Sequence, residues 1–337
     1  MKFLGSLITF AFIGVCSVFA RPAINQQDDT FRYWISDTDK KATIMGIIDK
    51  TATSATVNAY ITVEGERYYV KQVGAAAFSG SALRDLYVNS NVEIMNFSPN
   101  AFQGASNLRT ITLNNNKVSA DIGAFDGCGP NLGFSGRGTE SLINDYAKKL
   151  LSNWGLPVGK DYTNLDEETR MKALHKLARV VKTNFGINDK IAYPSNVAVT
   201  LALKTGNTLG IARAFRILAL NMGFQYNEVH VGTDNARYSW NYVYVNKDKS
   251  GKKWYNLDIV NRSVPSSYNA NIFVTKDAQK STLTSAYGSS AQYYTTNLNP
   301  DNWYIYINQY GFNGESIPAS TEKFYDWLVR NRAGVTA

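Results

Sequence analysis

The sequence predicts an α+β fold in two parts: a short solenoid of repeats, followed by a half in which helices pack against an antiparallel sheet. The first observation is a repeat, because Ala-Phe pairs occur at Ala77-Phe78, Ala101-Phe102 and Ala124-Phe125. The second is the stretch 204–258, in which an amphipathic helical pattern precedes three strand patterns. Repeats of this length bury their apolar side chains against one another, so they stack into solenoids.

Residues 1–20 are expected to form a secretory signal peptide. Lys2 precedes an apolar run over residues 3–19, and Val18-Phe19-Ala20 fits a small-residue cleavage site. A membrane anchor is the weaker interpretation, because the run is short and no second apolar stretch of about 18 residues follows. The mature chain is therefore expected to begin near Arg21, to be secreted or at the cell surface, and to have no membrane span.

The charge of the chain limits the classes of partner. There are 35 Lys and Arg against 27 Asp and Glu among 337 residues, so the formal charge is +8, and removal of Lys2 leaves +7. The basic residues are scattered rather than clustered. Acidic glycans, anionic walls or acidic proteins are plausible neighbours, whereas nucleic acid is not expected for a secreted chain.

Cysteine and histidine are too scarce for a metal site or a disulfide. Cys16 leaves with the signal peptide, so Cys128 is the only thiol of the mature chain. Cys128 lies in FDGCGPNL at the turn of a repeat, which favours a buried repeat residue over a reactive or intermolecular thiol. The imidazoles are those of His175 and His230. No metal and no cofactor are expected.

Residues 40–72 precede the repeats and read as β-strands. They alternate apolar and polar side chains, as over residues 56–63, which is the period-two pattern of a strand. Gly65 marks a turn before Tyr68-Tyr69-Val70.

The repeats themselves have a characteristic content. A leucine follows each Ala-Phe pair, at Leu83, Leu108 and Leu132, and the segment LRDLYV recurs as LRTITL. In period and content this resembles leucine-rich repeats of the BspA type. The resemblance implies a short solenoid within residues 21–135, capped by the preceding strands and by the second domain. Recognition along an exposed sheet face is the expected role, with a purely structural spacer as the alternative.

The second domain is expected over residues 136–337. Residues 136–139 form a short polar link, and helical patterns follow over 142–154 and 166–185. The second helix begins with three acidic residues, which the helix dipole favours in a first turn. His175 flanks its apolar stripe, so we expect a boundary histidine rather than a catalytic one.

The stretch 204–258 carries the most specific motifs. The helical string TLGIARAF is followed by the strands EVHVG, YSWNYVYV and KKWYNLDIV. This order resembles the core of the transglutaminase-like (papain-like) superfamily, which places a Cys at a helix start, a His in an HAWN-type strand and an Asp in a WYxxD strand. The resemblance covers residues 140–270. It implies that Thr208 replaces the nucleophilic Cys, that Tyr238 replaces the His, and that Asp258 keeps the place of the orienting acid.

The two replacements predict a vestigial triad. A helix N-terminus activates a cysteine by stabilising thiolate, whereas the hydroxyl of Thr208 needs a neighbouring base. Tyr238 is a poor base, because a phenol of pKa about 10 is ionised only on the order of one part in a thousand at neutral pH. We expect the helix and strands around the site to be retained and the catalytic reaction to be lost.

His230 is the candidate for a substitute base. If residues 233–237 close a regular hairpin, Gly232 faces Tyr238 and His230 lies one pair away on the same sheet face. A register slip by one residue would turn His230 to the other face.

After Asp258 the chain is rich in Ser, Asn and aromatic residues and ends in the helical pattern EKFYDWLVRNR. Its tyrosines and its tryptophan could form a surface on which glycans stack, although aromatic strands packed on a core are the favoured interpretation. These residues are Tyr287, Tyr293, Tyr294, Trp303, Tyr304, Tyr306 and Tyr310.

Two functions of different classes follow. The first is a secreted binding or adhesion protein with a catalytically inactive transglutaminase-like domain, whose partner is an extracellular protein, peptide or glycan. The alternative is an active hydrolase or acyltransferase, a protease or amidase on peptide or protein amides, with Thr208 as nucleophile and His230 or Asp258 assisting. The sequence favours no oligomeric state.

Overall fold

The computed structural model describes residues 25–225, 228–233, 239–245, 254–260 and 263–270. The expected signal peptide, Tyr238 and the aromatic residues after position 270 lie outside these ranges. Among the helices of the described part, none is long and apolar enough to cross a membrane.

Eleven strands in the described part build the first half of the chain. In chain order these are β1 Asn25–Gln27, β2 Phe31–Ser36, β3 Lys41–Ile47, β4 Ser54–Val57, β5 Tyr60–Val63, β6 Glu66–Val73, β7 Asp85–Val88, β8 Met95–Phe97, β9 Thr110–Leu113, β10 Val118–Ala120 and β11 Gly133–Ser135. They form two sheets. The first sheet has the order β1-β2-β3-β6-β8-β10, with β5 also paired to β6, and the second has the order β11-β9-β7-β4.

The repeats form a solenoid of parallel strands. Every pair in the second sheet is parallel, and so are β3-β6, β6-β8 and β8-β10 in the first. The backbone joins successive turns in the same way, since Arg84 N donates to Thr53 O, Arg109 N to Arg84 O and Gly133 N to Arg109 O. The predicted solenoid is therefore confirmed, and β4 adds one turn ahead of the three Ala-Phe repeats.

The core of the solenoid is a column of phenylalanine rings from the Ala-Phe pairs. Phe78 and Phe102 stack with centroids 5.5 Å apart, and Phe102 and Phe125 stack with the same 5.5 Å separation. All three side chains are buried. The leucines that follow the pairs, Leu83, Leu108 and Leu132, are buried as well, as the repeat pattern predicted. Each repeat thus buries its apolar side chains mainly against its neighbours.

The strands ahead of the repeats differ from the sequence pattern in one respect. The alternation over residues 56–63 is continuous, but the structure divides it between β4 in the second sheet and β5 in the first. Asn58 and Ala59 carry the chain from one sheet to the other while they preserve the alternation. Gly65 lies in the turn between β5 and β6, where Val63 pairs with Glu66, as predicted.

The second half contains four helices and five short strands in the described part: α1 Gly138–Asn153, α2 Glu167–Asn184, β12 Gly186–Ile187, α3 Val197–Leu203, β13 Thr205–Gly206, α4 Thr208–Met222, β14 Val229–Thr233, β15 Ser239–Tyr244 and β16 Trp254–Leu257. Strands β14, β15 and β16 form an antiparallel sheet, and β12 pairs with β13 in parallel. Helix α4 lies at the centre and packs against α1, α2, α3, β14 and β15. The predicted order of a helix and three strands is confirmed.

The junction between the halves is packed rather than an exposed link. Helix α1 begins at Gly138, four residues before the predicted position, and both Gly138 and Thr139 are buried. A Cβ on Gly138 would lie 2.4 Å from the carbonyl oxygen of Asn115, so only glycine fits against the last turn of the solenoid. Tyr146 of α1 packs edge-on against Phe125 with centroids 5.8 Å apart. Helix α1 therefore covers the open end of the stack.

Replacing the central ring of the column should destabilise the whole chain. Phe102→Ala removes a fully buried ring that stacks on both sides, so we expect a loss of about 3–5 kcal/mol in the free energy of unfolding, measured by urea denaturation. The matched control is Tyr87→Ala on the second sheet, where the ring is 40% exposed and the expected loss is below about 1 kcal/mol. Equal losses in the two variants would contradict this description of the core.

Candidate functional site

The start of helix α4 is held by a dense set of contacts. Asn207 is the N-cap, and its Oδ1 accepts a hydrogen bond of 2.9 Å from Gly210 N while its Nδ2 donates to Ser195 Oγ at 2.8 Å. Capping by an asparagine stabilises a helix by about 1 kcal/mol. A Cβ on Gly210 would lie 2.3 Å from the carbonyl oxygen of Pro194, so the first turn fits against the preceding loop only with glycine there.

Thr208, the first residue of α4, contacts the start of β15. Its side-chain oxygen Oγ1 accepts a hydrogen bond of 3.0 Å from the backbone N–H of Ser239. Ser239 follows directly on Tyr238, which itself lies outside the described residues. The structure therefore brings Thr208 into contact with Ser239, the residue that follows Tyr238. The Thr208 hydroxyl accepts the hydrogen bond that joins α4 to β15.

Asp258 lies at the end of the next strand. It follows β16 directly, is only 2% exposed, and comes after Leu257, which pairs with Asn241 of β15. The side chain of Asn241 donates a 2.8 Å hydrogen bond to the carbonyl oxygen of Ala212 in α4. Helix α4, β15 and β16 are thus fastened to one another, with Thr208 and Asp258 on adjoining elements.

The predicted register around His230 is wrong. The structure pairs Gly232 with Trp240 and Thr233 with Ser239, so Gly232 does not face Tyr238. His230 pairs with Tyr242, which is two residues farther along β15 than the predicted pairing placed it. The cause is that β14 extends through Thr233, which the prediction placed in the turn, so the two strands first pair at Thr233 and Ser239. This register weakens the case for His230 as a substitute base beside position 238.

His175 is buried, which corrects the expected boundary position. Its side chain is 2% exposed, and its ring packs edge-on against Tyr268 at 5.6 Å. Burial lowers the pKa of His175 below its usual value, and the charge of Arg179 lowers it further. The structure thus places His175 within the packing of α2 against Tyr268.

Cys128 has the environment of an inert thiol. It is free and packs against the core of the solenoid, half-buried. Burial raises the pKa of the Cys128 thiol to about 12, and the charge of Asp126 adds to the shift. Because the thiolate is the nucleophile, Cys128 is a poor candidate for a reactive group at neutral pH.

Sequence reasoning missed the buried arginines that position α4. Arg213 Nη1 donates to Ser195 O at 2.9 Å, and Arg216 Nε donates to Val229 O at 2.7 Å, with both side chains buried. Arg170 of α2 forms a buried ion pair of 2.6 Å with Glu228. The available signal was two arginines within an otherwise apolar helix, since such charges are buried only when they have partners.

Comparisons with known proteins give similarity only to parts of this chain. No protein-family model matches the sequence, and no curated protein matches it. Within the described ranges, no three His, Cys, Asp or Glu side chains come together as a metal site would require.

Three similar solved structures contain leucine-rich repeats. A leucine-rich repeat protein from Bacteroides capillosus is 23% identical over 30% of this chain and 73% of its own, with a TM-score of 0.27. A leucine-rich cell surface protein from Faecalibacterium prausnitzii is 18% identical over 33% of this chain and 30% of its own, with a TM-score of 0.29. A leucine-rich repeat protein from Bacteroides ovatus is 17% identical over 34% of this chain and 37% of its own, with a TM-score of 0.23. This chain therefore spans about a third of the length of the last two proteins.

The contact between Thr208 and Ser239 can be tested by paired substitutions. Thr208→Val removes the acceptor of the Ser239 N–H, so the free energy of unfolding should decrease by about 1 kcal/mol in urea denaturation. Thr208→Ser keeps the oxygen and should retain most of that stability. Indistinguishable losses in the two variants would show that the hydroxyl does not join α4 to β15.

Proposed function

We propose that this chain is a secreted binding or adhesion protein, in which a repeat solenoid is joined to a transglutaminase-like domain without catalytic activity. The observation that carries the proposal is the use of the Thr208 hydroxyl as a hydrogen-bond acceptor between α4 and β15. The position that resembles that of a nucleophile thus holds a structural contact. The partner is proposed to be an extracellular protein, peptide or glycan.

The chemistry around Thr208 supports the loss of catalysis. A threonine hydroxyl at a helix N-terminus gains little from the dipole and reacts only when a base removes its proton. Tyr238 supplies no such base at neutral pH. The single thiol of the mature chain, Cys128, lies in the solenoid, and its raised pKa argues against a displaced nucleophile.

The alternative of an active hydrolase or acyltransferase has one observation in its favour. Asp258 is buried directly after β16, the strand next to β15, so an acid lies near the elements that carry Thr208. An enzyme would also need a base within hydrogen-bond reach of Thr208 Oγ1. The pairing of His230 with Tyr242 does not favour His230 in that role.

Binding is supported by the outward faces of the two sheets. Every second side chain of a strand points away from the core, and in the second sheet the outward set includes Thr56, Tyr87 and Thr112. These side chains are exposed or half-exposed along a row of parallel strands. Such rows are the surfaces on which solenoids bind their partners.

The residue assignment can be tested by rebuilding the missing groups. In a Cys128→Ser background, the double variant Thr208→Cys, Tyr238→His should have a thiol whose pKa lies well below the free value of about 8.5, because the helix terminus favours thiolate and the imidazole can accept its proton. The measurement is the rate of iodoacetamide labelling as a function of pH. Thr208→Cys alone in the same background is the reference.

The labelling curves of the double and the single variant show whether positions 208 and 238 lie close together. A double variant whose thiol titrates as the single variant does would show that positions 208 and 238 do not meet, and the proposed transglutaminase-like site would be wrong. Hydrolysis or transfer by the unmodified chain that disappears in Thr208→Val would instead establish the enzyme.

A further inference from the structure

The outward side of the first sheet carries exposed aromatic and basic side chains together. We call this the basic aromatic face, and it consists of Trp34, Lys41, Tyr60, Arg67, Tyr69 and Lys71. Trp34 and Tyr60 are each 39% exposed, and Tyr69 is 43% exposed. At these exposures a large part of each side chain is accessible to a partner.

The strand register places these side chains in rows. Tyr60 of β5 pairs with Tyr69 of β6, and Tyr69 pairs on its other side with Lys41 of β3. Because neighbouring strands lie about 4.8 Å apart, this row extends about 10 Å across the sheet. Trp34 of β2 pairs with Thr43 of β3 and extends the face toward the adjoining strand.

Cations lie directly against the rings of this face. Arg67 Cζ lies 4.6 Å from the centre of the Tyr60 ring, and Lys71 Nζ lies 5.9 Å from the centre of the Tyr69 ring. The two rings meet edge to face with centroids 6.4 Å apart. These contacts hold the rings in fixed orientations and keep the positive charges beside them.

Arg67 and Lys71 keep the positive charge of the face. Of the acids at its margin, Glu66 and Asp37 form ion pairs with Lys40, with Lys40 Nζ at 3.7 Å from Asp37 Oδ1. A hydrogen bond from Ser36 and the nearby charge of Lys41 lower the pKa of a third acid, Asp39. Lys41 donates to the uncharged side chain of Gln72. The contacts of Arg67 and Lys71 described above are with the rings of Tyr60 and Tyr69 and not with carboxylates. The charge of the face is therefore complementary to an acidic partner.

We propose that the basic aromatic face binds an acidic polysaccharide, whose sugar rings stack on Trp34, Tyr60 and Tyr69 while its carboxylates or sulfates pair with Lys41, Arg67 and Lys71. This inference deepens the binding function proposed above and rests on it. A sugar ring presents a flat face of C–H groups to the electron-rich face of an aromatic ring. The backbone of β6 is paired on both sides, so a peptide could not add a strand beside β6, whereas β5 pairs only with β6 among the described strands.

The test uses the full mature chain with defined polymers at physiological ionic strength. Dextran sulfate and polygalacturonate should bind in a biolayer assay, and neutral dextran should not. Arg67→Ser with Lys71→Ser should weaken binding by about tenfold. Trp34→Ala with Tyr69→Ala leaves the charge unchanged and should still weaken binding by about threefold or more.

Matched controls separate this face from the net charge of the chain. Lys148→Ser with Lys176→Ser removes the same charge from exposed positions on α1 and α2, and Ile187→Ala removes an apolar side chain of 50% exposure from β12. Both controls should keep the affinity within about twofold. Thermal unfolding of every variant verifies that the fold is retained.

Three results would overturn the inference. The first is that neither dextran sulfate nor polygalacturonate binds. The second is that Lys148→Ser with Lys176→Ser lowers the affinity as much as Arg67→Ser with Lys71→Ser does. The third is that poly-L-glutamate binds as tightly as the polysaccharides and that Trp34→Ala with Tyr69→Ala does not change its affinity. The last result would identify an acidic polypeptide as the partner. None of them bears on the absence of catalysis, which the labelling of the Thr208→Cys variants tests separately.

Discussion

The column of rings formed by Phe78, Phe102 and Phe125, and closed by Tyr146, is the contact on which the rest of this structure depends. A repeat unit of this size cannot bury its apolar side chains alone, so each turn needs the next, and the last turn needs a cover. Helix α1 supplies that cover through Tyr146. Because α1 also packs against α4, the solenoid and the candidate site share one continuous packing.

Much of the fold could be predicted because its signals are local and periodic. The Ala-Phe repeat, the turn at Gly65, and α2 with its N-cap Asp166 all agree with the sequence pattern. The early start of α1 at Gly138 could not be predicted, because it depends on the close approach of that glycine to Asn115. The break between β4 and β5 was hidden because Asn58 and Ala59 keep the alternation while the chain changes sheet.

The candidate site divides in the same way. The helix and three strands follow from the patterns over residues 204–258, whereas the pairing of Gly232 with Trp240 depends on whether Thr233 belongs to the strand or to the turn. The burial of His175 depends on Tyr268, which is 93 positions later in the chain and invisible to any local pattern. The arginines that hold α4 were missed because their acceptors are backbone oxygens of other elements.

In the second half, the residues of the candidate site support the fold, whereas the first sheet exposes side chains to solvent. Thr208 contributes an acceptor to the contact of α4 with β15, and the buried arginines fix the same helix from other sides. The first sheet, by contrast, exposes aromatic rings with positive charges beside them. Recognition of an acidic polysaccharide at that face is consistent with the net positive charge of the chain.

The central claim is that this chain binds without turning over amide substrates. The most direct measurement is mass spectrometry of a glutamine-containing peptide after prolonged incubation with the full mature chain and a primary amine. The account predicts that the mass of the peptide is unchanged. Hydrolysis of the glutamine amide to glutamate, its replacement by the amine with release of ammonia, or peptide cleavage, if abolished in Thr208→Val, would contradict it.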